Sequence, residues 1–109
     1  MKKLLLFLFT ILLPIVAKAD YSGSCGTNVT YTYVESTQTL TISGSGDMTD
    51  FLQGNTPWYN YRDEILKITI ENGVKSIGDF AFYKCDTPTS ITVPNSVTRI
   101  GNFAFSDCI

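Results

Sequence analysis

Two stretches of the chain, IGDFAFYKC at residues 77–85 and IGNFAFSDC at residues 100–108, are spelled almost identically. The similarity extends upstream of both. When residues 68–86 are aligned with residues 91–109, at an offset of 23 positions, ten of the nineteen positions are identical. Self-similarity with a period of about 20 to 50 residues is typical of repeat proteins, in which each unit packs on its neighbours. The repeat is therefore the feature from which the fold is predicted.

Each repeat predicts one coil of a mainly β structure. Ile68 and Ile70 alternate with Thr69, so we expect a short strand with the isoleucines facing inward and the threonine facing outward. Residues 71–73 and 94–96 read as turns, after which the chain returns to the core. Equivalent strands stack about 4.8 Å apart, so that like residues lie over like. The predicted repeat core comprises Ile68, Ile70, Val74, Ile77, Ala81, Phe82, Cys85, Ile91, Val93, Val97, Ile100, Ala104, Phe105 and Cys108.

The segment before the repeats, residues 20–66, is rich in threonine, serine, tyrosine and glycine. Residues 29–34 and 39–43 alternate and carry β-forming side chains, which predicts two strands joined by a turn at residues 35–38. Pro57 suits the first position of a short helix. Trp58 and its neighbouring tyrosines would then cover the end of the repeat core. We therefore expect an N-terminal β-hairpin cap in front of the coils.

At these residues the sequence resembles the BspA-like leucine-rich repeat family, also called the Treponema pallidum type. The stretch ITVPNSVTRIGNFAFSDC (residues 91–108) follows the family's repeat pattern closely, and ITIENGVKSIGDFAFYKC (residues 68–85) does so with Glu71 in place of proline. The segments SGSCG, TLTISGSGDM and PWYNY resemble the region that often precedes such repeats. The resemblance implies a leucine-rich-repeat solenoid, with two repeats at 68–90 and 91–109 within the region 67–109, the second incomplete.

Two coils are few for such an array, because about three are needed for independent stability. We therefore expect a fragment of a longer protein, in which the face bearing Val97, Ile100, Phe103 and Phe105 would otherwise meet water. Pro88 stands where the family prefers leucine in the link between coils, so the link is expected to be less regular.

Residues 1–19 are predicted to be a signal peptide. Lys2 and Lys3 precede an apolar run at residues 4–17, and Ala17-Lys18-Ala19 offers a cleavage site with small residues. The alternatives are a membrane anchor, for which the run is short of the roughly 20 residues needed, and a lipid attached to Cys25. Cleavage would leave an exported protein, secreted or at the cell surface, without a membrane span.

The net charge expected for the mature chain argues against nucleic acid as a partner. Loss of Lys2, Lys3 and Lys18 would leave five basic residues against ten acidic ones, a net charge of −5. Such a chain offers no basic patch for nucleic acid.

Cys85 and Cys108 occupy the same position in the two repeats, which favours packing over a disulfide between them.

No catalytic constellation is present in the sequence, and no enzyme activity, cofactor or metal site is predicted. The chain has no histidine, which removes the common nucleophilic triads and the commonest metal ligand. The acidic pairs Asp47/Asp50 and Asp63/Glu64 read as solvated surface charge. A weak calcium site near Asp47 and Asp50 remains an alternative, although calcium takes about six to eight oxygen ligands.

The outward positions of the coil strands are the candidate binding residues, because the strand face of a solenoid forms an extended platform. They are Lys67, Thr69, Glu71, Ser90 and Thr92. The resemblance implies an adhesin-like role, in which this face binds a host, matrix or neighbouring-cell protein. The alternatives are a repeat scaffold attached to an enzyme domain beyond residue 109, and a truncated product without activity.

Overall fold

The computed structural model describes residues 20–108, so the predicted signal peptide at residues 1–19 and the last residue lie outside the described part. The fold is mainly β, as the sequence predicts. The described residues form eight strands and one short 3-10 helix, η1: β1 (Asp20–Gly26), β2 (Val29–Val34), β3 (Thr39–Gly44), β4 (Gly46–Asp47), η1 (Tyr59–Glu64), β5 (Lys67–Ile70), β6 (Val74–Ile77), β7 (Ser90–Thr92) and β8 (Arg99–Ile100).

The strands form two sheets. One has five strands in the order β1-β2-β3-β5-β7, and the other has three in the order β4-β6-β8. The pairs β1–β2 and β2–β3 are antiparallel, whereas β3–β5 and β5–β7 are parallel. The direction changes at β3, because tight turns join the N-terminal strands while a whole coil of chain separates each later pair.

The parallel register reproduces the sequence repeat. Lys67 pairs with Ser90, Ile68 with Ile91 and Thr69 with Thr92, each at an offset of 23 residues. In the second sheet Ile77 pairs with Ile100 at the same offset. Equivalent residues of the two repeats therefore lie side by side, as the alignment indicates.

The N-terminal hairpin contains the two strands expected at residues 29–34 and 39–43, and it adds β1, which the sequence did not predict. The segment of β1, DYSGSCG, is mostly small and polar, and its burial pattern shows little alternation. It pairs with β2 along almost its whole length, and Tyr21 stacks near Tyr33 and Tyr61. Strand β1 therefore forms because β2 offers it an edge and an aromatic surface.

The aromatic segment before β5 closes one side of the core. Trp58 is fully buried, and its indole N–H donates a hydrogen bond to the carbonyl oxygen of Ala81 (2.8 Å). Its ring stacks on that of Phe82, with centroids 5.7 Å apart. The short helix begins at Tyr59, two residues after Pro57. Trp58 therefore joins the cap segment to the first repeat through both a hydrogen bond and aromatic packing.

Burial in the core falls from the first repeat to the second. Ile68, Ile70, Val74, Ile77, Ala81, Phe82 and Cys85 of the first repeat are all buried. In the second repeat Ala104 is buried, and Val97, Phe105 and Cys108 are partly buried. The sequence pattern places Ile91, Val93 and Ile100 in the core as well, but the structure leaves them 39, 43 and 55% exposed, since no described residue packs over the second repeat.

Gly78 allows the cap and the first repeat to approach each other. A Cβ atom at this position would overlap the backbone oxygen of Thr49. This close backbone contact is one that only a glycine permits.

Ile77 and Ile100 are equivalent positions that differ in burial, so the same substitution at both positions tests the structure. Ile77→Asp places an unpaired carboxylate in a fully buried site, and we expect it to lower the free energy of unfolding by about 4 kcal/mol or more. Ile100→Asp makes the same change at an exposed position and should cost less than about 1 kcal/mol. Thermal melts followed by circular dichroism measure both; equal melting midpoints for the two variants would contradict the structure.

Candidate binding surfaces

The outer face of the five-stranded sheet carries a row of hydroxyl side chains. Thr41, Thr69 and Thr92 are register partners on β3, β5 and β7. The row continues into the hairpin, since Thr32 pairs with Thr41 and Ser22 pairs with Thr32. Neighbouring strands lie about 4.8 Å apart, so the row spans about 19 Å. We call this surface, centred on the row, the strand face.

The predicted binding residues lie on the strand face or at its margin. Lys67 pairs with Ser90, and both are exposed. Thr69 is partly exposed and pairs with the exposed Thr92. Glu71 follows β5 directly and is exposed. The structure therefore brings the four strand residues into two adjacent rows and places Glu71 beyond the strand end.

The sequence reasoning missed the part of this surface that comes from the hairpin. Ser22, Thr32 and Thr41 precede the recognisable repeats, so the alignment of repeats does not include them. The alternation of β2 and β3 marks Thr32 and Thr41 as outward-facing. Only the register of the sheet shows that they continue the row of Thr69 and Thr92.

A second side of the molecule holds the repeats together through backbone hydrogen bonds. The N–H groups of Phe80, Phe82 and Lys84 donate to the carbonyl oxygens of Asn102, Ala104 and Ser106, at 3.0, 2.8 and 2.9 Å. Phe80 and Lys84 have φ values of 54° and 59°, and their equivalents Phe103 and Asp107 both have 57°. Every second N–H in residues 80–85 therefore donates to the next coil, and the N–H groups between them donate to local turns.

Side chains reinforce this stacking. Asp50 Oδ1 accepts a hydrogen bond from the backbone N–H of Asp79 (3.0 Å), and Asp79 Oδ1 accepts one from Asn102 (2.7 Å). Arg99 Nη2 also lies 3.2 Å from Asp50 Oδ1. The Asp79 N–H and the Arg99 guanidinium hold the pKa of the Asp50 carboxyl below its usual range. Asp50 thus links the cap segment to both repeats.

The described residues contain no group of three or more ligating side chains that could hold a metal ion. Asp50 is engaged with Asp79 and Arg99, while Asp47 is exposed on β4. The alternative of a calcium site at this pair therefore finds no further ligands in the part of the chain described. In residues 20–108, no helix is long and apolar enough to cross a membrane.

The three cysteines are free thiols with different accessibility. Burial raises the pKa of Cys25 to about 12, and burial together with the nearby Cys108 raises that of Cys85 to about 12. Cys108 is partly buried, and its pKa is also raised, chiefly by burial. Its S–H donates to the carbonyl oxygen of Phe82 (2.9 Å). The thiols are packing groups in this structure and poor nucleophiles at neutral pH.

Parallel strands paired at the period of the sequence repeat define a β-rich repeat protein, and comparisons with known proteins identify its family. The model of the BspA type leucine-rich repeat region, which covers six copies of the repeat, matches residues 55–109. The chain belongs to this family, as the sequence resemblance predicts. A search of curated proteins gave no match.

A crystal structure of a leucine-rich repeat protein from Eubacterium ventriosum is similar to this chain, with a TM-score of 0.75 and 36% sequence identity. The similarity covers 82% of this chain and 24% of that protein. The chain therefore spans about a quarter of the length of that leucine-rich repeat protein.

The Asp50 contacts predict how stability depends on pH. An aspartate whose pKa is lower in the folded than in the unfolded protein stabilises the fold at pH values above its unfolded-state pKa of about 3.9. This stabilisation is lost as the pH falls through the folded-state pKa. Asp50→Ala should therefore lower the free energy of unfolding by about 1 kcal/mol near neutral pH, a modest loss because the side chain is half exposed. In urea unfolding, the difference in unfolding free energy between the Asp50→Ala variant and the unchanged protein should become smaller below about pH 4.

Asp47→Ala is the control, since the Asp47 side chain has no hydrogen-bond or ion-pair partner among the described residues. A loss of stability as large as that of Asp50→Ala, or one that persists unchanged in acid, would contradict the assigned contacts.

The difference between the thiols predicts an order of alkylation. At about pH 8, iodoacetamide should modify Cys108 at least about tenfold faster than Cys25 or Cys85, because the buried thiols react only after the fold opens. Peptide mass spectrometry over time measures each rate, and the same reaction in guanidinium chloride should make all three rates similar. Equally fast labelling of Cys85 in the folded protein would show that its site is open.

Proposed function

We propose that this chain is an exported repeat protein whose strand face binds another protein. The observation that carries the proposal is the continuous hydroxyl row from Ser22 to Thr92, which spans both the cap and the repeats. Leucine-rich repeat proteins in general are non-enzymatic scaffolds whose extended surfaces bind proteins. Membership of the family therefore supports protein binding, and the strand face is the surface that we propose for it.

The proposal includes a solenoid with an N-terminal cap. In support, each repeat contributes one strand to each sheet, and equivalent residues stack in register. The hairpin β1–β2–β3 occupies one end of the five-stranded sheet, where it covers the inner residues of β5. The proposal assigns residues 20–66 to the cap, residues 67–109 to the repeats and residues 1–19 to a cleaved signal peptide.

The side-chain chemistry of the strand face indicates what kind of surface its partner should present. Its central row has hydroxyl groups, which both donate and accept hydrogen bonds, and the nearby charges of Lys67 and Glu71 are of opposite sign. A surface of this kind suits a protein partner with mixed polar groups. Arg99 pairs with Asp50 on another side of the molecule, so it is not part of this surface.

The size of the strand face predicts weak binding by this part of the protein. A row of about 19 Å with the row beside it offers a few hundred Å², below the roughly 800 Å² per partner of an ordinary stable interface. We expect affinities in the micromolar range or weaker, as suits an adhesin-like protein at a cell surface. The identity of the partner would then depend on polar contacts more than on buried apolar area.

The test is a binding screen with one substitution on the strand face and one away from it. The full mature chain is immobilised and exposed to a panel of purified extracellular-matrix and cell-surface proteins. Thr92→Arg should weaken any specific binding by about tenfold or more, because it places a large charge in the hydroxyl row. Thr98→Arg, an exposed position of the same repeat outside that face, should leave it unchanged.

Equal loss of binding in both variants, or binding that Thr92→Arg does not affect, would place the interaction elsewhere. Circular dichroism of both variants checks that the fold is retained.

A further inference from the structure

Strand β1 has one open edge along most of its length. It is the first strand in the order β1-β2-β3-β5-β7, and its residues 20–24 are all exposed. Within residues 20–108, these five residues make no backbone hydrogen bond beyond their pairing with β2. Only the end of the strand is covered, where the carbonyl oxygen of Cys25 accepts the N–H of Thr49 (2.9 Å). The edge of residues 20–24 is therefore free to pair in the described structure.

The register of the sheet identifies the backbone groups on this edge. The carbonyl oxygen of Ile42 accepts the N–H of Glu71, so its neighbour Thr41 turns its backbone groups toward β2. Thr41 pairs with Thr32, which therefore faces β3 and not β1. Ser22, the partner of Thr32 in β1, consequently turns its own N–H and C=O away from the sheet. By the same alternation, the outward backbone groups of β1 belong to Asp20, Ser22 and Ser24.

This edge lacks the features that commonly keep exposed strands apart. The segment of β1, DYSGSCG, contains no proline, lysine or arginine, and Asp20 is its only charged residue. Its β-bulge lies between Ser24 and Gly26, beside the contact with Thr49, so the free part of the strand is regular. A regular open edge of small polar residues is a template for one more strand.

We propose that β1 pairs with β1 of a second copy of this chain, in antiparallel orientation, about a two-fold axis at Ser22. In this register Ser22 faces Ser22 of the other copy, and Asp20 faces Ser24, so that all three outward residues find a partner. A register shifted by two residues leaves Ser24 or Asp20 without a partner within residues 20–24. Complete pairing of the backbone groups therefore selects the axis at Ser22.

The side chains on the inner face of β1 fit the same register. Tyr21 is 43% exposed, although its ring stacks on that of Tyr61 with centroids 4.9 Å apart. Across the axis it lies opposite Gly23 of the other copy. A Cβ atom at Gly23 would be 3.1 Å from Cε1 of Tyr31, so the Tyr31 ring covers this glycine. Each Tyr21 thus packs beside a Tyr31 ring, and an aromatic side chain opposite a glycine stabilises a strand pair.

The dimer joins two strand faces into one surface. A two-fold axis perpendicular to the sheet keeps the same face of both copies on one side, so Ser22 connects the two hydroxyl rows. The joined row of ten positions spans about 43 Å. Two copies also offer two binding sites to one partner, which raises the apparent affinity. This last consequence rests on the proposed function, whereas the pairing of β1 does not.

Cysteine cross-linking of the full mature chain tests the register. In a Cys108→Ser background, Ser22→Cys places two thiols beside the axis, with Cα atoms about 5.5 Å apart, which is within the range of a disulfide. Mild oxidation at about 100 µM protein should convert most of this variant into a covalent dimer. Ser24→Cys is the matched control and should remain uncross-linked, because its two copies lie more than about 13 Å apart in this register. Equal cross-linking of both variants, or none of Ser22→Cys, would overturn the proposal.

Light scattering tests the pairing without cysteine substitutions. The contact is smaller than an ordinary stable interface, so the average mass should rise from monomer toward dimer between about 1 and 500 µM. Ser22→Pro removes an N–H that makes no bond to β2, and it should stay monomeric with its fold intact by circular dichroism. Ser22→Thr keeps that N–H and should still dimerise. A mass that does not depend on concentration in the unchanged chain, or a Ser22→Pro variant that dimerises normally, would overturn the proposal.

Hydrogen exchange followed by NMR distinguishes this dimer from other contacts. At high concentration the amides of Ser22 and Ser24 should become protected by about tenfold. Ile100→Asp changes the opposite end of the molecule and should leave this protection unchanged; its loss in that variant would place the dimer contact there. Protection that appears only on addition of a matrix or cell-surface protein would assign the edge to a strand of that partner and overturn the proposal. Thr92→Arg should not affect dimerisation, so failure of partner binding and failure of pairing are distinguishable.

Discussion

The structure depends on backbone hydrogen bonding between residues that are one repeat apart. Thr69 lies beside Thr92 and Ile77 beside Ile100, and on a second side the N–H groups of one coil meet the carbonyls of the next. This arrangement requires the two coils to have nearly the same shape. Apolar side chains at equivalent positions then stack directly, which explains why the chain repeats not only its hydrophobic pattern but also particular residues.

The cap and the first repeat show how such a stack can begin. Strand β3 presents the parallel edge that β5 needs, although its other neighbour, β2, is antiparallel. Trp58 and Asp50 contact the repeats from the opposite side through a hydrogen bond to Ala81 and one from Asp79. The hairpin therefore covers the apolar interior of the first repeat while keeping the register of the coils that follow.

The two ends of the molecule differ for this reason. At the cap, Tyr33 and Leu40 of the hairpin strands are buried, and β5 has a neighbouring strand on each side. At the second repeat, Ile91 and Ile100 have a neighbour on one side only and are partly exposed. The same residue types thus differ in burial because of their place in the stack, and the contribution of each to stability differs accordingly.

The sequence by itself determined the repeat length, the core residues of the first repeat and the hairpin strands, because these follow from local alternation and self-similarity. Its resemblance to a known repeat pattern pointed to the family. It also indicated that part of the second repeat would meet water. Only the tertiary structure decided that β1 joins the sheet, that Ser22, Thr32 and Thr41 continue the row of Thr69 and Thr92, and that Asp50 contacts both Asp79 and Arg99. These features depend on strand order and register, which link residues too far apart in the chain for any local pattern to specify.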